Sequence, residues 1–429
     1  METILLPAKD SWKDICRRPL MEKAGLEKIV GEIIAEVRKG SDRALVELTW
    51  KLDGYKPENL RVSPSEIAEA CHTVPDPLKQ AIKTARANIE RFHATQIIRE
   101  EPVETTTGVT CWRKNVPIEK VGLYIPGGSA PLFSTLLMLG IPAKLAGCEQ
   151  IIVCTPPDTN GKISPEILYT ADLLGITDIF KVGGAQAVAA LAYGTDTIPA
   201  VYKIFGPGNQ YVTKAKELVQ QDGIAIDMPA GPSEVLIIAD DAADAETVAA
   251  DLISQAEHGK DSQVILLTDS RSLAEKVKGE LEKQAELLPR KDIIKGSLDH
   301  CRLVVLPSTD DCMAFSNIYA PEHLIINTIN ASELGEKVKN AGSVFLGKYS
   351  CESAGDYASG TNHTLPTNGF ARNYSGVSAD SYMKKITFQS VTEAGIKNLG
   401  PSIELMATSE LLQGHKNAVS IRLKNLEND

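Results

Sequence analysis

Hydrophobic residues from about residue 120 onward occur in short runs separated by helical stretches. Runs rich in valine, isoleucine and leucine predict strands, and the strands predicted in this way are 121–125, 151–154, 179–182, 201–205, 235–239, 264–268 and 303–306. The stretches between them predict helices, for example over 132–146 and 244–258. Strands that alternate with helices are typical of βαβ units, so we predict an α/β fold with mostly parallel sheets.

The two ends of the chain follow a helical period instead. Residues 25–54 and 77–96 repeat apolar positions every three or four residues, and the chain after about residue 385 does the same. We therefore predict helical amino- and carboxyl-terminal regions. Segment 227–234, DMPAGPSE, is rich in proline, glycine and small residues, which indicates a crossing between two sheets. Ligands of α/β proteins prefer crevices of that kind.

Composition narrows the classes of partner. The chain has 429 residues, of which 43% are hydrophobic, enough for the cores of two or three domains. Its net charge of -11 opposes binding to a phosphate backbone, so we do not expect nucleic acid as a partner. The 8 cysteines include no Cys-x-x-Cys pair, and the amino terminus has too short an apolar run for an export signal. We expect a cytoplasmic protein with reduced thiols.

Glycine-rich turns follow two of the predicted strands, at 126–129 and 206–209. Such turns let backbone amides approach a phosphate, although a tight turn without a ligand explains each one equally well. Neither is Gly-x-Gly-x-x-Gly, so the usual dinucleotide fingerprint is absent from the sequence. The uncharged stretch 121–143 is long enough to cross a bilayer, but its glycines and prolines indicate strand, loop and helix. We expect no membrane contact.

Two segments contain residue types that bind metals. Gln255 and His258 are three residues apart near the end of a predicted helix, so they share a face that could hold a metal ion or could be a polar helix end. Segment 353–366 contains Asp356 and His363 among small and polar residues. It predicts either a functional loop or a solvated loop in which Asp356 caps a turn.

Glu322 and His323 follow Pro321, where a helix could start. This pair is either two proton-transfer groups in a pocket or a surface glutamate beside a partly buried histidine. Glu410 and His415 lie in a helical stretch near the carboxyl end, where a lone histidine is usually structural. The three other histidines have no supporting neighbours in the sequence, and we assign them to the surface: His72, His93 and His300.

Long blocks of the sequence, taken together and in order, resemble the histidinol dehydrogenase family. The blocks are VGLYIPGGSAPLFSTLLMLGIPAKLAGC, KVGGAQAVAALAYGT, KIFGPGNQYVTKAK, DMPAGPSEVLIIAD, DLISQAEHG, APEHLII and SAGDYASGTNHTLPT. The resemblance implies a zinc- and NAD-dependent enzyme that oxidises L-histidinol to L-histidine through L-histidinal, a four-electron oxidation that completes histidine biosynthesis. It also implies a homodimer.

The same resemblance implies roles for individual residues of this chain. It implies that zinc is bound by Gln255, His258, Asp356 and His415, with His415 coming from the other subunit. The metal ligands then also contact the substrate, together with Ser233, His323, His363 and Glu410. NAD contacts are implied for Tyr124, Gln186 and Asn209. In the chemistry that this implies, His323 accepts the hydroxyl proton and Glu322 activates the water that adds to the aldehyde.

We predict two Rossmann-like domains that are incomplete and lack the usual fingerprint, with helical extensions at both ends. The predicted parts are 1–25, an amino-terminal extension; 26–122 with 234–375, a first α/β domain with the metal and catalytic residues; 123–233, a second α/β domain with the NAD contacts; and 376–429, a helical extension that packs on the partner subunit. Two other functions stay open. A zinc hydrolase would use the same metal cluster without nicotinamide, and a non-catalytic metal- or nucleotide-binding module would need neither Glu322 nor His323.

Overall fold

The computed structural model describes residues 1–18, 25–127 and 131–428. Its residues fall into two compact units. The first unit consists of Met1–Gln96 and Glu119–Tyr382, and the second consists of Ile97–Ile118 and Met383–Asp429. The domain boundaries given above stay a prediction.

The strands and helices are numbered in chain order. The strands are β1 (Glu2–Leu5), β2 (Val103–Thr106), β3 (Val109–Pro117), β4 (Lys120–Tyr124), β5 (Gln150–Thr155), β6 (Asp178–Lys181), β7 (Lys203–Phe205), β8 (Ala225–Ile226), β9 (Glu234–Ala239), β10 (Gln263–Thr268), β11 (Arg302–Val305), β12 (His323–Asn327), β13 (Ser343–Leu346) and β14 (Met383–Val391). The helices are α1 (Trp12–Ile15), α2 (Leu26–Asp53), α3 (Pro64–Thr73), α4 (Asp76–Ala94), α5 (Phe133–Ala146), α6 (Pro165–Leu173), α7 (Gly184–Tyr193), α8 (Gln210–Gln221), α9 (Ala245–Ala256), α10 (Arg271–Leu287), α11 (Lys291–Leu298), α12 (Thr309–Tyr319), α13 (Ala331–Gly335), α14 (Glu352–Tyr357), α15 (Glu393–Ser409) and α16 (Gln413–Asn428).

A six-stranded parallel sheet in the first unit has the order β1-β11-β10-β9-β12-β13. Its central strand β9 is buried on both faces because every side chain from Val235 to Ala239 is apolar. Val235 and Ile237 pack with α9 and α10 on one face, whereas Leu236 and Ile238 pack with α12 on the other. Each such aliphatic side chain contributes about 1.5–3 kcal/mol by leaving water. Packing on both faces therefore fixes the position of this strand.

A five-stranded parallel sheet, also in the first unit, has the order β6-β5-β4-β7-β8. Its side chains share a core with α2, α7 and α8. Helix α5 is buried along most of its length because it is apolar on all sides. Among the helices that the structure describes, none is long and apolar enough to cross a membrane.

The second unit contains an antiparallel sheet of order β14-β3-β2 and the helices α15 and α16, which pack on each other. The predicted fold class is confirmed, with mostly parallel sheets and helical terminal regions. The sequence pattern did not predict β1, β2, β3 or β14 in these regions. Strand β14 is largely solvent-exposed and lacks the apolar run of a buried strand, so its pairing with β3 over nine residues is what makes it a strand.

Candidate active site

Two strand beginnings meet at the amino-terminal edge of the six-stranded sheet. Strand β9 begins at Glu234 and β12 begins at His323, and His323 pairs in register with Val235. The prediction that a helix starts at Pro321 is wrong. Helix α12 has already ended, at Ala320 in a left-handed conformation, and the apolar run after His323 pairs with β9 as a buried strand.

His323 is buried, with 4% of its surface exposed. Its Nδ1 lies 3.2 Å from the carbonyl oxygen of Glu234, which can only accept, so Nδ1 carries the proton. Its Nε2 lies 3.4 Å from Oδ1 of Asp356. Burial by itself would lower the pKa of His323, but the carboxylates of Glu352, Glu322 and Asp356 outweigh it and raise the pKa to about 10.

Glu322 is buried beside His323, and its Oε2 accepts a hydrogen bond of 2.8 Å from the backbone N–H of Glu234. Burial raises the pKa of Glu322 to about 8. A carboxyl group with a pKa close to neutral pH can exchange a proton during a reaction. The alternative of a surface glutamate beside a partly buried histidine is therefore wrong for this pair.

The metal-binding candidates come from the ends of two helices. Gln255 lies in the last turn of α9, which ends at Ala256, so His258 stands two residues beyond the helix that the sequence had predicted to include it. Asp356 lies in α14, where the sequence predicted a loop. Ligand atoms of His258, Glu352 and Asp356 all lie within 4.8 Å of one another. The structure therefore brings His258 and Asp356 together from positions 98 residues apart, and adds Glu352.

These side chains fit a metal ion. Oε1 of Gln255, Oε2 of Glu352 and Oδ1 of Asp356 are buried and form no hydrogen bond with any residue that the structure describes. Leaving buried acceptors unpaired costs free energy, and oxygen atoms with an imidazole are donors that zinc accepts. Burial also raises the pKa of Glu352 well above its usual range. Carboxylates crowded in this way resist ionisation until a cation is present.

His363 bonds to Asp356, a member of this cluster, and Ser233 directly precedes β9. Nδ1 of His363 donates to the carbonyl oxygen of Asp356 at 2.9 Å, and its Nε2 lies 3.2 Å from the hydroxyl of Thr135. Burial lowers the pKa of His363, which favours the neutral ring. Ser233 is half-buried immediately before β9, and its carbonyl accepts from the backbone of Gln263.

The proposed NAD contacts lie at the carboxyl-terminal edge of the five-stranded sheet. Tyr124 ends β4, and its hydroxyl accepts a hydrogen bond of 3.1 Å from the backbone of Gly184. Asn209 caps α8, because its Oδ1 accepts from the N–H groups of Tyr211 and Val212. The glycine turn predicted at 126–129 lies partly outside the described residues.

Gln186 differs from the other two cofactor candidates. It is only 1% exposed, and neither end of its side-chain amide has a hydrogen-bond partner within the described part of the chain. A buried amide without partners is rare because each unpaired group costs desolvation energy. Among the three candidates, Gln186 therefore has the strongest structural sign of an external ligand.

Glu410 and His415 belong to the second unit, and both are exposed. Glu410 follows the last residue of α15, and His415 lies in the first turn of α16. His323 belongs to the first unit. Their role in zinc and substrate binding stays a prediction.

Sequence reasoning missed two acidic residues and misplaced one histidine. Glu352 stands four residues before Asp356, a spacing that puts two carboxylates on one helix face and would have identified it. Glu234 directly follows Ser233 but carries no motif of its own. The surface assignment of His93 is wrong: it is fully buried, with Nδ1 bonded to the carbonyl of Ile89 at 3.1 Å. His72 and His300 are exposed as predicted.

Known proteins of one family resemble this chain over nearly its whole length. The family model for histidinol dehydrogenase matches residues 16–423. A histidinol dehydrogenase from Bacteroides fragilis (strain YCH46) is 54% identical over 426 residues, 99% of this chain and 100% of that relative. One from Photobacterium profundum is 49% identical over 98% of this chain and 95% of the relative. The crystal structure of histidinol dehydrogenase from Elizabethkingia anophelis is similar with a TM-score of 0.98 at 56% identity, covering 100% of this chain and 99% of that one.

Proposed function

The chain belongs to the histidinol dehydrogenase family, and from this premise we propose how its residues oxidise L-histidinol to L-histidine through L-histidinal with two molecules of NAD. The observation that carries the proposal is the convergence at one sheet edge of two proton-transfer groups, Glu322 and His323, with a cluster of metal donors. Neither a hydrolase without nicotinamide nor a non-catalytic binding module accounts for that family membership together with this pair.

We assign zinc to Gln255, His258 and Asp356, with His415 of a second copy of the chain as the fourth ligand. Unpaired buried oxygens on Gln255 and Asp356 support this assignment, as does the cluster that includes His258. When bound, zinc would hold the imidazole and amino group of the substrate and would supply the positive charge that the crowded carboxylates lack. The chain then functions as a homodimer, acting on the cell's pool of small metabolites in the cytoplasm.

His323 accepts the hydroxyl proton of the substrate in this proposal. Its Nδ1 proton is committed to the carbonyl of Glu234, so the lone pair of the neutral ring is on Nε2. A bound cation would balance the neighbouring carboxylates and so would favour the neutral ring, whose Nε2 could then take a proton. As the O–H bond breaks, the carbon releases a hydride, which NAD accepts, and the alcohol becomes an aldehyde.

Glu322 activates water for the second oxidation. The backbone N–H of Glu234 fixes one carboxylate oxygen, and the other is left to take a proton from water. Addition of that water to the aldehyde gives the hydrated form, in which the remaining C–H bond belongs to a carbon with two hydroxyl groups and can be oxidised like that of an alcohol. A second hydride passes to a second NAD, a proton again leaves to His323, and the product is a carboxylic acid.

The remaining proposed contacts position the two reactants. Ser233 precedes Glu234, whose backbone bonds to both proton-transfer groups, and His363 bonds to the carbonyl oxygen of Asp356; we assign Ser233 and His363, with Glu410, to the substrate. Tyr124, Gln186 and Asn209 are assigned to NAD, and the unpaired amide of Gln186 is the contact that the structure supports best.

The test of the proposed function is the yield of NADH from a limiting amount of L-histidinol. We expect two NADH for each substrate molecule, read from absorbance after the reaction is complete. One NADH per substrate would refute the four-electron oxidation, and none would favour the hydrolase or the binding module.

The variant Glu322→Gln separates the two oxidations. Since the amide cannot accept a proton from water, we expect the second NADH to form much more slowly than the first, with zinc content unchanged. Loss of zinc from this variant would show that Glu322 supports the metal site instead.

A further inference from the structure

The two proposed proton-transfer groups share one hydrogen-bonding residue. The backbone N–H of Glu234 donates to Oε2 of Glu322 at 2.8 Å, and the backbone carbonyl of Glu234 accepts from Nδ1 of His323 at 3.2 Å. Small movements of this residue's backbone would therefore change the direction of both groups at once. Since misplacing reacting groups by about 1 Å can cost about 100-fold in rate, the position of Glu234 matters for the reaction.

The side chain of Glu234 is bound by a half-buried arginine, Arg18. Only 2% of Glu234 is exposed, and Arg18 forms two hydrogen bonds to its carboxylate, through Nε to Oε1 and through Nη2 to Oε2. The backbone N–H of Asn368 adds a bond of 2.9 Å to Oε1. A forked pair of this kind fixes the carboxylate in direction as well as in distance.

Arg18 also holds the segment that leads to Glu322. Its Nη2 donates to the carbonyl of Tyr319 at 2.9 Å and lies 3.4 Å from the carbonyl of Ala320. The guanidinium stacks 3.9 Å above the ring of Tyr319. Ala320 has a φ of 56°, a left-handed conformation that a residue other than glycine rarely adopts and that its surroundings must stabilise.

We propose that Arg18 is a positioning residue for the oxidation: by joining the Glu234 carboxylate to the Tyr319–Ala320 turn, it sets the direction of both Glu322 and His323. Within the described chain, the hydrogen bonds of Arg18 go to Glu234, Tyr319 and Ala320, none of which is assigned to the substrate or the metal. This inference rests on the proposed function, because it assigns Arg18 a part in a reaction that those two groups perform.

The conservative variant Arg18→Lys tests the proposal. Lysine keeps the charge but cannot form the fork or the flat stack on Tyr319. We expect kcat to fall about 10- to 100-fold, while the KM values for L-histidinol and NAD and the zinc content stay within about twofold, because the assigned zinc ligands and NAD contacts are not groups that Arg18 orients. Arg17→Lys is the matched control, since Arg17 is exposed and pairs with Asp14.

A double variant shows whether Arg18 acts through His323. In the background of His323→Asn, we expect Arg18→Lys to slow formation of the first NADH by less than about threefold, because His323 is the group that accepts the proton in that step and it is already replaced. A loss of equal size in both backgrounds would overturn the proposal and leave Arg18 with a purely structural role. A kcat for Arg18→Lys within twofold of the parent would overturn it as well.

Glu234→Gln decides the question if Arg18→Lys does not fold. Glutamine has the same shape but offers one acceptor oxygen instead of two, so we expect the same fall in kcat with unchanged KM, and an unchanged kcat would overturn the proposal. The parent protein and His323→Asn report separately on the proposed function. If the parent yields no NADH, the proposed function is wrong. If the parent yields two NADH but the Arg18 and Glu234 variants do not behave as expected, only the positioning role of Arg18 is wrong.

Discussion

In the two parallel sheets of the first unit, the candidate functional residues lie at opposite edges. In the six-stranded sheet, Glu322 and His323 lie at the amino-terminal ends of the strands. In the five-stranded sheet, Tyr124, Gln186 and Asn209 lie at or just beyond the carboxyl-terminal ends. The usual rule for parallel sheets predicts only the second arrangement.

The two edges differ because helices end at one of them and begin at the other. Helix α9 ends beside the metal candidates, with Gln255 in its last turn and His258 just beyond it. The carboxyl end of a helix has a partial negative charge, which favours a cation. Helices α7 and α8 begin at the other edge, where free N–H groups and a partial positive charge favour the phosphates of a dinucleotide. One architecture thus provides opposite electrostatic environments at its two edges.

The two edges also differ in how many of their polar side chains have hydrogen-bond partners within the chain. At the metal edge, buried oxygens of Gln255, Glu352 and Asp356 remain unpaired within the described chain. At the cofactor edge, Tyr124 and Asn209 already bond to the backbone, and Gln186 alone of the three candidates has no hydrogen-bond partner within the described chain. We therefore expect substitutions at the metal edge to affect function far more than those at the cofactor edge.

The largest effect is expected for His258→Asn. The variant loses a metal donor, and we expect its affinity for zinc to fall by more than about 100-fold, beyond what outer partners of a metal site contribute, with activity at background. Metal analysis of the purified protein measures this, with His300→Asn as the control because His300 is exposed. Full zinc occupancy in His258→Asn would show that other residues bind the metal.

His323→Asn is expected to come next. Removing the proton acceptor should lower kcat by about 10²- to 10⁴-fold, while zinc stays bound because none of the assigned zinc ligands is changed. Steady-state rates and metal content of the same preparation test this, and His72→Asn is the exposed control. A loss of less than tenfold would mean that another group accepts the proton.

Gln186→Leu tests the cofactor edge. Leucine fills similar space without an amide, so we expect the KM for NAD to rise about 3- to 10-fold, the value of a lost neutral hydrogen bond. The KM for L-histidinol should stay unchanged. The Tm should not fall, because the amide has no hydrogen-bond partner to lose within the described chain. Gln220→Leu, on the exposed side of α8, is the control. If Gln186→Leu lowered activity as much as His258→Asn, the expected contrast between the two edges would be wrong.

The smallest effect is expected for Asn209→Ala. Its Oδ1 caps α8, so its loss should cost about 1 kcal/mol of stability and lower the Tm by a few degrees at most. Asn209→Ser keeps a capping oxygen and should retain the Tm. If Asn209→Ala instead raises the KM for NAD more than tenfold at an unchanged Tm, Asn209 acts mainly on the cofactor.

Local signals in the sequence were sufficient where burial and short spacing act together. Seven strands of the two parallel sheets were predicted within one or two residues because a parallel strand covered on both faces needs a continuous apolar run, as in β9 and β10. The pair Gln255 and His258 could be singled out because the two residues are three positions apart, although His258 lies beyond the end of α9. Resemblance to a family supplied the roles of more distant residues, which spacing alone left open.

Local signals failed where a distant partner decides the conformation. Strand β14 depends on β3, and His93 is buried because its helix packs into the fold and Asn362 lies 3.3 Å from its ring. The segment after Pro321 is a strand because β9 is available as its neighbour.

The sequence by itself determined the alternation of strands and helices, the apolar faces that bury them and the chemical types available to the site. Only the tertiary structure decided that His323 bonds to the backbone of Glu234, 89 positions earlier, and that Arg18 bonds to the carboxylate of Glu234. The physical reason is that strand register, set by packing on both faces of the six-stranded sheet, brings distant residues into contact and selects which of their polar atoms stay unpaired.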